Sequence, residues 1–381
     1  MRRRALGLLT GAVIWPFMVG CHASNGTSGG DPARTANEHH ARAFGDAELP
    51  RKIGSVASIG LQIPVICPDG RRMLYLRTDC DHLSAMTLLG SPDPQHTPPE
   101  GTLSIWLRPV AGQASGRRLS GRRWSHSPVW SDSGNAVAYV ANQPPASVIV
   151  HLDLGTGTET MLGVRGAINC LPRFDGDDQT LLFCAGDAAD GPFRVYRQKT
   201  GGDEPAALTP KGTDCLFPIA SDRGGGSLCA QVEGTHLNWV RSGPGGVARL
   251  APQWGMSTRP ASLQTWAGIG SPLSPGRDAV LFYDVAQNRI CVLHVAKRIV
   301  RRHRPRSIAA CWLDNQTIAL ATADGVFIVN TTTGLSTTLF SGQWIPCRYV
   351  ATSRRLILLG RQTPRRFAIW EVMFKTRMAP A

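Results

Sequence analysis

The stretch Pro128-Val129-Trp130-Ser131-Asp132-Ser133-Gly134-Asn135-Ala136-Val137-Ala138-Tyr139 decides the fold of this 381-residue chain. A short strand ends in an aromatic residue, Ser-Asp-Ser-Gly reverses the chain, and an alternating strand follows. Glycine supplies the left-handed turn position that side chains resist. The alternation places Val137 and Tyr139 on one face and Ala136 and Ala138 on the other. The same pattern recurs place for place from Pro64 to Tyr75, turning at Asp69-Gly70, and from Pro172 to Phe183, turning at Asp177-Asp178. Weaker copies begin at Pro218, with Ser221-Asp222, and at Pro272, with Ser274-Pro275-Gly276. Another centres on Trp312-Leu313-Asp314-Asn315, and the last runs from Tyr349 to Leu359.

Every copy is followed by a second half: an apolar strand, a Gly- or Thr-bearing turn and a short return strand. Val148 to Leu154, Gly155-Thr156-Gly157 and Thr160 to Leu162 are the clearest case; Leu103 to Gly112 and Phe193 to Thr209 follow the same scheme. Four short strands per repeat of about 40 residues is the pattern of a propeller blade. The expectation is an all-β, seven-bladed β-propeller of four-stranded blades. A six-bladed ring is the alternative, should the degenerate fourth or seventh copy fail to form a blade. The seventh copy stops after its third strand at Phe374, and an orphan apolar segment, Ile53 to Ile63, precedes the first. The N-terminal strand is therefore expected to complete the last blade and close the ring. The Pro-rich stretch Ser91 to Gly101 is expected to protrude as a loop from blade 1.

The Pro-x-Trp-Ser-x-x-Gly-x-x-Val-x-Tyr motif, with its later Val-x-Leu-Asp-Leu-Gly-Thr-Gly segment, resembles the TolB-type WD40-like β-propeller repeat. The resemblance covers about residues 50–375 and implies the fold strongly and the function weakly. The α/β domain that precedes the propeller in TolB has no counterpart here. The Gly-His and Trp-Asp signatures of eukaryotic WD40 blades are also missing.

The N-terminus carries an address. Arg2-Arg3-Arg4 is followed by an apolar run from Ala5 to Val19, shorter than the roughly 20 residues of a comfortable membrane span. Its ending, Met18-Val19-Gly20-Cys21, resembles the bacterial lipobox, with methionine at the usual leucine place. The resemblance implies cleavage before Cys21, diacylglycerol on its sulfur and an acyl group on its new amine. His22 stands where aspartate signals inner-membrane retention, which favours the outer membrane, facing the periplasm. The expected organisation is a signal peptide over 1–20, a flexible tether over 21–49 leading from lipidated Cys21, the propeller over 50–375 and a tail over 376–381. The tether is rich in Gly, Ser, Ala, Asn and charge, too poor in apolar surface to offset its ordering entropy.

The net charge of +14 comes largely from scattered arginine. An exported protein rarely meets nucleic acid, so none is expected as a partner. One dense basic cluster contains Lys297, Arg298, Arg301, Arg302, Arg304 and Arg306. It reads either as a docking face for an acidic partner or as a solvated rim loop, and the loop is the favoured reading.

Nine cysteines remain beyond Cys21. Cys170 and Cys184 are equidistant from a hairpin tip at Asp177, and Cys215 and Cys229 from one near Asp222, so two disulfides are expected. Cys67 and Cys80 are less symmetric. At least one of Cys291, Cys311 and Cys347 is expected to stay a buried thiol. No Cys-x-x-Cys pair and no His-Glu-x-x-His implies a metal or cofactor, and no Gly-x-Ser-x-Gly elbow implies a nucleophile. His126 and His151 fall inside strands and read as ordinary face residues. Asp132, Asp175 and Asp314 fall in the turns, where a carboxylate caps backbone amides. No catalytic residue is assigned. The leading reading is a membrane-tethered, non-catalytic scaffold for an unknown envelope protein. The alternatives are an envelope hydrolase or lyase of lactonase type using the channel, and a peptidoglycan or polysaccharide binder using Trp254, Trp266 and Trp344.

Overall fold

The computed structural model describes residues 47–57, 63–78, 102–121, 124–188, 191–202, 204–219, 227–234, 236–243, 246–250, 254–255, 271–284, 287, 289–363 and 366–375. Cys21, nearly all the tether, the Ser91–Gly101 stretch, Cys80, Asp222, Trp266 and the tail lie outside these residues, as do the side chains of Trp254 and Arg304.

Among the described residues, twenty-eight strands form seven antiparallel sheets around a central channel. The first strand, β1 (Arg51–Ala57), belongs to the last blade. Blade 1 is β2 (Val65–Ile66), β3 (Arg72–Thr78), β4 (Leu103–Pro109) and β5 (Arg117–Arg118). Blade 2 is β6 (Ser125–Trp130), β7 (Ala136–Gln143), β8 (Ala146–Asp153) and β9 (Glu159–Leu162). Blade 3 is β10 (Ile168–Phe174), β11 (Thr180–Gly186), β12 (Arg194–Lys199) and β13 (Ala206–Ala207). Blade 4 is β14 (Cys215–Leu216), β15 (Ser227–Glu233), β16 (His236–Gly243) and β17 (Gly246–Arg249), with β18 (Trp254–Gly255) also paired to β16.

Blade 5 departs from four strands. It has β19 (Ala279–Asp284), β20 (Arg289–His294) and β21 (Ile299–Pro305), and its innermost strand is reduced to one bridge, Leu273 to Val280. Blade 6 is β22 (Ala309–Trp312), β23 (Thr317–Ala321), β24 (Gly325–Asn330) and β25 (Ser336–Ser341). Blade 7 is β26 (Ile345–Val350), β27 (Arg355–Thr363), β28 (Arg366–Met373) and, outermost, β1. Seven blades are present, and the fourth and seventh copies both form one.

Each second strand is wedged between two neighbouring blades, which explains its composition. Val137 and Tyr139 pack with Leu74, Leu76 and Ile105 of blade 1, while Ala136 and Ala138 pack with Phe174, Leu181 and Phe183 of blade 3. Both faces are buried, so the strand alternates large and small rather than apolar and polar. Fully burying one such aliphatic or aromatic side chain contributes about 1.5–3 kcal/mol.

Closure by β1 is built residue by residue. It pairs with β28 from Arg51 opposite Glu371 to Ala57 opposite Arg366, with a bulge between Lys52 and Gly54. The Arg51 guanidinium is ion-paired to Glu371. Gly54 lies against blade 1, where an added Cβ would stand 3.0 Å from the carbonyl oxygens of both Val110 and Gly112. Arg108 of blade 1 donates to the Ser55 carbonyl at 2.7 Å. The first strand is thus gripped from both sides of the seam.

All eight described cysteines are buried free thiols, and neither expected disulfide is formed. Cys170 does stand opposite Cys184. Cys215 stands opposite Gln231, and Leu216 opposite Ala230, yet the Cys215 and Cys229 side chains remain hydrogen-bond neighbours. The basic cluster is also corrected. It is no loop: Arg301 and Arg302 lie on β21, the outermost strand of blade 5, flanked by exposed Lys297, Arg298 and Arg306, with His303 turned into the protein.

Candidate functional site

The first-to-second-strand turns, which carry the repeat motif, meet at one end of the channel and link blade to blade. In blade 2, Gly134 adopts φ +76°, and an added Cβ there would approach Cys67 Sγ of blade 1 to 2.6 Å. Its carbonyl accepts a 2.8 Å hydrogen bond from Arg72. The equivalent Gly70 of blade 1 lies against Val350 of blade 7. Asp314 accepts a backbone amide as expected, Gln316 N at 2.8 Å, and Asp69 and Asp177 do the same with Arg71 N at 2.8 Å and Gln179 N at 2.8 Å. Asp178 instead accepts the Ser133 hydroxyl of blade 2 at 2.6 Å. Asp175 is turned inward and ion-paired with Arg197 at 3.0 Å.

The motif aromatic has a role its burial alone does not explain. Trp130 Nε1 donates to the Val65 carbonyl of blade 1 at 2.9 Å, and Trp312 Nε1 to the Pro272 carbonyl of blade 5 at 3.2 Å. Each indole ties its own innermost strand to that of the preceding blade.

The residue before the aromatic therefore has only the channel to face. A cavity of about 500 Å³ lies at the turn end, and that place in all seven blades lines it: Val65, Val129, Arg173, Ile219, Pro272, Cys311 and Arg348. The backbone aims these residues. Register shifts interrupt the innermost strand between His126 and Val129, between Cys170 and Arg173, and between Pro346 and Arg348. In blades 2, 3 and 4 a left-handed residue stands two places upstream: Ser127 (φ 52°), Leu171 (φ 54°) and Phe217 (φ 54°). Bulges re-aim side chains in this way beside binding sites.

Five of the seven places are apolar or small, and two are arginine. Both guanidinium-bearing side chains are half-buried. Burial pulls the Arg173 pKa down to about 10. Burial also lowers that of Arg348, against the opposing pull of Cys311 and Asp132. Arg348 Nε is sealed from solvent without an acceptor. Among the described residues no carboxylate lies within ion-pair distance of either group.

A third arginine crosses the mouth. Arg277 of blade 5 is ion-paired with Asp132 of blade 2 at 3.2 Å, passing over Gly176 of blade 3. It adopts φ 59° and donates its amide to the Ser274 carbonyl at 2.9 Å, as Gly134 does to Ser131 at 3.0 Å. Arg277, not Gly276, thus fills the left-handed turn place. Among the described residues the mouth-lining charges are Arg173, Arg277 and Arg348 against Asp132.

The remaining sequence candidates lie away from the channel. His126 is buried against Asn142, and burial lowers its pKa to about 4. His151 bonds the Asp178 carbonyl at 2.7 Å. Trp344, weighed as a sugar platform against the favoured reading of packing between blades, is buried against Phe340 and Trp370, with its indole N–H given to the Ser341 carbonyl. Sequence reasoning missed Arg173 and Arg348. Their signal was the x of Pro-x-Trp, occupied by arginine in Pro172-Arg173-Phe174 and in Cys347-Arg348-Tyr349.

No family model matches the chain, and no curated protein is similar to it. Solved structures are. An oligogalacturonate lyase in complex with manganese is 10% identical over 88% of this chain and 95% of its own, with a TM-score of 0.55. An acylaminoacyl peptidase from Pyrococcus horikoshii is 12% identical over 83% of this chain and 52% of its own, at 0.52. TolB from Acinetobacter baumannii is 18% identical over 73% of this chain and 66% of its own, at 0.45. The chain thus spans about two thirds of TolB and half of the peptidase. At these identities the likeness establishes the fold alone: a seven-bladed β-propeller, with TolB among its structural neighbours.

Proposed function

We propose that the chain is an exported lipoprotein, anchored through Cys21 to an envelope membrane, whose propeller serves as a non-catalytic scaffold for another envelope protein. The observation that carries this reading is where the chain enters the ring. Ala47 bridges to Phe374 and β1 forms the outermost strand of blade 7. A tether preceding Ala47 joins the disk at its rim and leaves the channel mouth open to a partner. The lipobox-like Met18-Val19-Gly20-Cys21 and the tether composition support the same arrangement.

Crosslinking followed by purification of the full-length protein from its own envelope tests the proposal. A defined membrane partner should co-purify with the wild type and fall to background with a secreted Cys21→Ser variant. Recovery of no partner above that control removes the scaffold reading. A mature N-terminus lacking diacylglycerol and acyl mass on Cys21 removes the anchor.

A further inference from the structure

We infer that the channel mouth is a binding site for a small organic oxyanion, a carboxylate or a phosphate ester, held by Arg173 and Arg348. The cavity, about 500 Å³, falls within the size range of small-molecule sites. Its wall is mostly apolar and aromatic, with a few polar groups, which is the usual build of such a site.

The fold does not require arginine at these two places. The equivalent residues in other blades are Val65, Val129 and Ile219, and their strands reach the same channel. Burying a cation there is costly, and the cost is ordinarily met by a carboxylate partner. Neither group has one among the described residues, and Arg348 keeps a buried, unbonded Nε. A guanidinium presents a planar fork of donors that matches an oxyanion bidentately. An incoming anion would supply the acceptors that the described residues do not.

Asp132 sharpens the assignment. It is the one carboxylate lining the mouth among the described residues, it pairs with Arg277, and it lies close enough to raise the Arg348 pKa. Its negative charge competes with any bound anion. Removing it should therefore strengthen binding, opposite in sign to removing either inner arginine. The site depends neither on the lipid anchor nor on a protein partner.

Calorimetric titration of the purified full chain at low ionic strength, with citrate, inorganic phosphate and glucose 6-phosphate against glucose as the neutral control, tests the inference. Saturable binding of at least one anion is expected, weakening as salt is added. Arg173→Gln and Arg348→Gln should each weaken it at least tenfold, and Asp132→Asn should tighten it severalfold. Lysine at either place keeps the charge without the fork and should fall between wild type and glutamine. Citrate against the two phosphates decides which oxyanion the site prefers. Should a glutamine variant misfold, as read by its unfolding transition, Asp132→Asn and the salt dependence still decide. No saturable anion binding by the wild type, or binding unchanged in the folded R173Q/R348Q protein, would overturn the assignment, as would weaker binding in Asp132→Asn. Capture of an envelope partner by the R173Q/R348Q protein would leave the scaffold reading standing while the anion site fails.

Discussion

Gly134→Ala should destabilise the protein by about 3 kcal/mol, through two separable causes. The first is backbone strain. At φ +76° an alanine sits in the left-handed region, which costs an L-residue roughly 1–2 kcal/mol. The second is overpacking. The new methyl group would stand 2.6 Å from Cys67 Sγ, a fully buried atom of blade 1, and such overfilling costs about 1–3 kcal/mol. Relief by shifting the turn would disturb the 2.8 Å bond from Arg72 to the Gly134 carbonyl, which joins the same two blades. Cys67→Ala removes the obstructing sulfur at a cost of about 1 kcal/mol for its lost burial. The Gly134→Ala/Cys67→Ala protein should therefore be more stable than the sum of the single losses, by a coupling of about 1–2 kcal/mol. Reversible urea unfolding of the four proteins, followed by tryptophan fluorescence, measures the cycle. A Gly134→Ala loss below about 0.5 kcal/mol would show that neither strain nor the Cys67 contact acts at this turn, and additive losses that the Cys67 contact does not.

Further outcomes follow from the same geometry. Deleting residues 1–57 removes the outermost strand of blade 7 and exposes the edge of β28. The truncated protein should unfold at lower urea and associate in gel filtration; an unchanged midpoint would show that the ring does not need β1. His126 has its pKa lowered from 6.5 to about 4 by burial, so the folded state excludes a proton that the unfolded state binds. Its contribution is complete above pH 6.5 and is lost as pH falls towards 4, by about 3 kcal/mol at most. His126→Gln should flatten that part of the stability profile, and an unchanged slope would assign it elsewhere. Burial raises the thiols of Cys184, Cys291, Cys311 and Cys347, and the hydrogen bond with Cys215, with burial second, raises that of Cys229, so these should react with a disulfide reagent only on unfolding. Rapid modification of the native protein at any of them would contradict the packing.

The repeat made the ring legible because the turn and its flanking strands are local. Ser131 to Gly134 reverses the chain in the structure as it reads in the sequence, and the missing outer strand of blade 7 is supplied by β1 as expected. What the sequence hid depends on partners far away in the chain. The basic run over β21 reads as a loop because an outermost strand has a neighbour on one side only and needs few apolar residues. Hairpin counting placed Cys215 directly across from Cys229; the register sets it opposite Gln231, with the two thiols still hydrogen-bond neighbours. Arg277 was not legible as a turn residue, since a left-handed arginine is strained and only its contacts across the mouth reveal it. Arg173 and Arg348 lay within the motif itself. Seeing that their place faces the channel requires knowing that the aromatic beside them can reach back to the preceding blade, as Trp130 and Trp312 do.

The inner arginines should serve binding rather than the fold, and stability measured with and without an anion separates the two roles. In the absence of ligand, Arg173→Met/Arg348→Met should be at least as stable as the wild type, since it replaces two desolvated cations with apolar side chains like those of the other blades. Citrate at about 100 times its dissociation constant should stabilise the wild type by about 2.7 kcal/mol and leave the variant unchanged. A variant that is strongly destabilised without ligand, yet gains as much from citrate as the wild type, would make the arginines structural rather than ligand-binding.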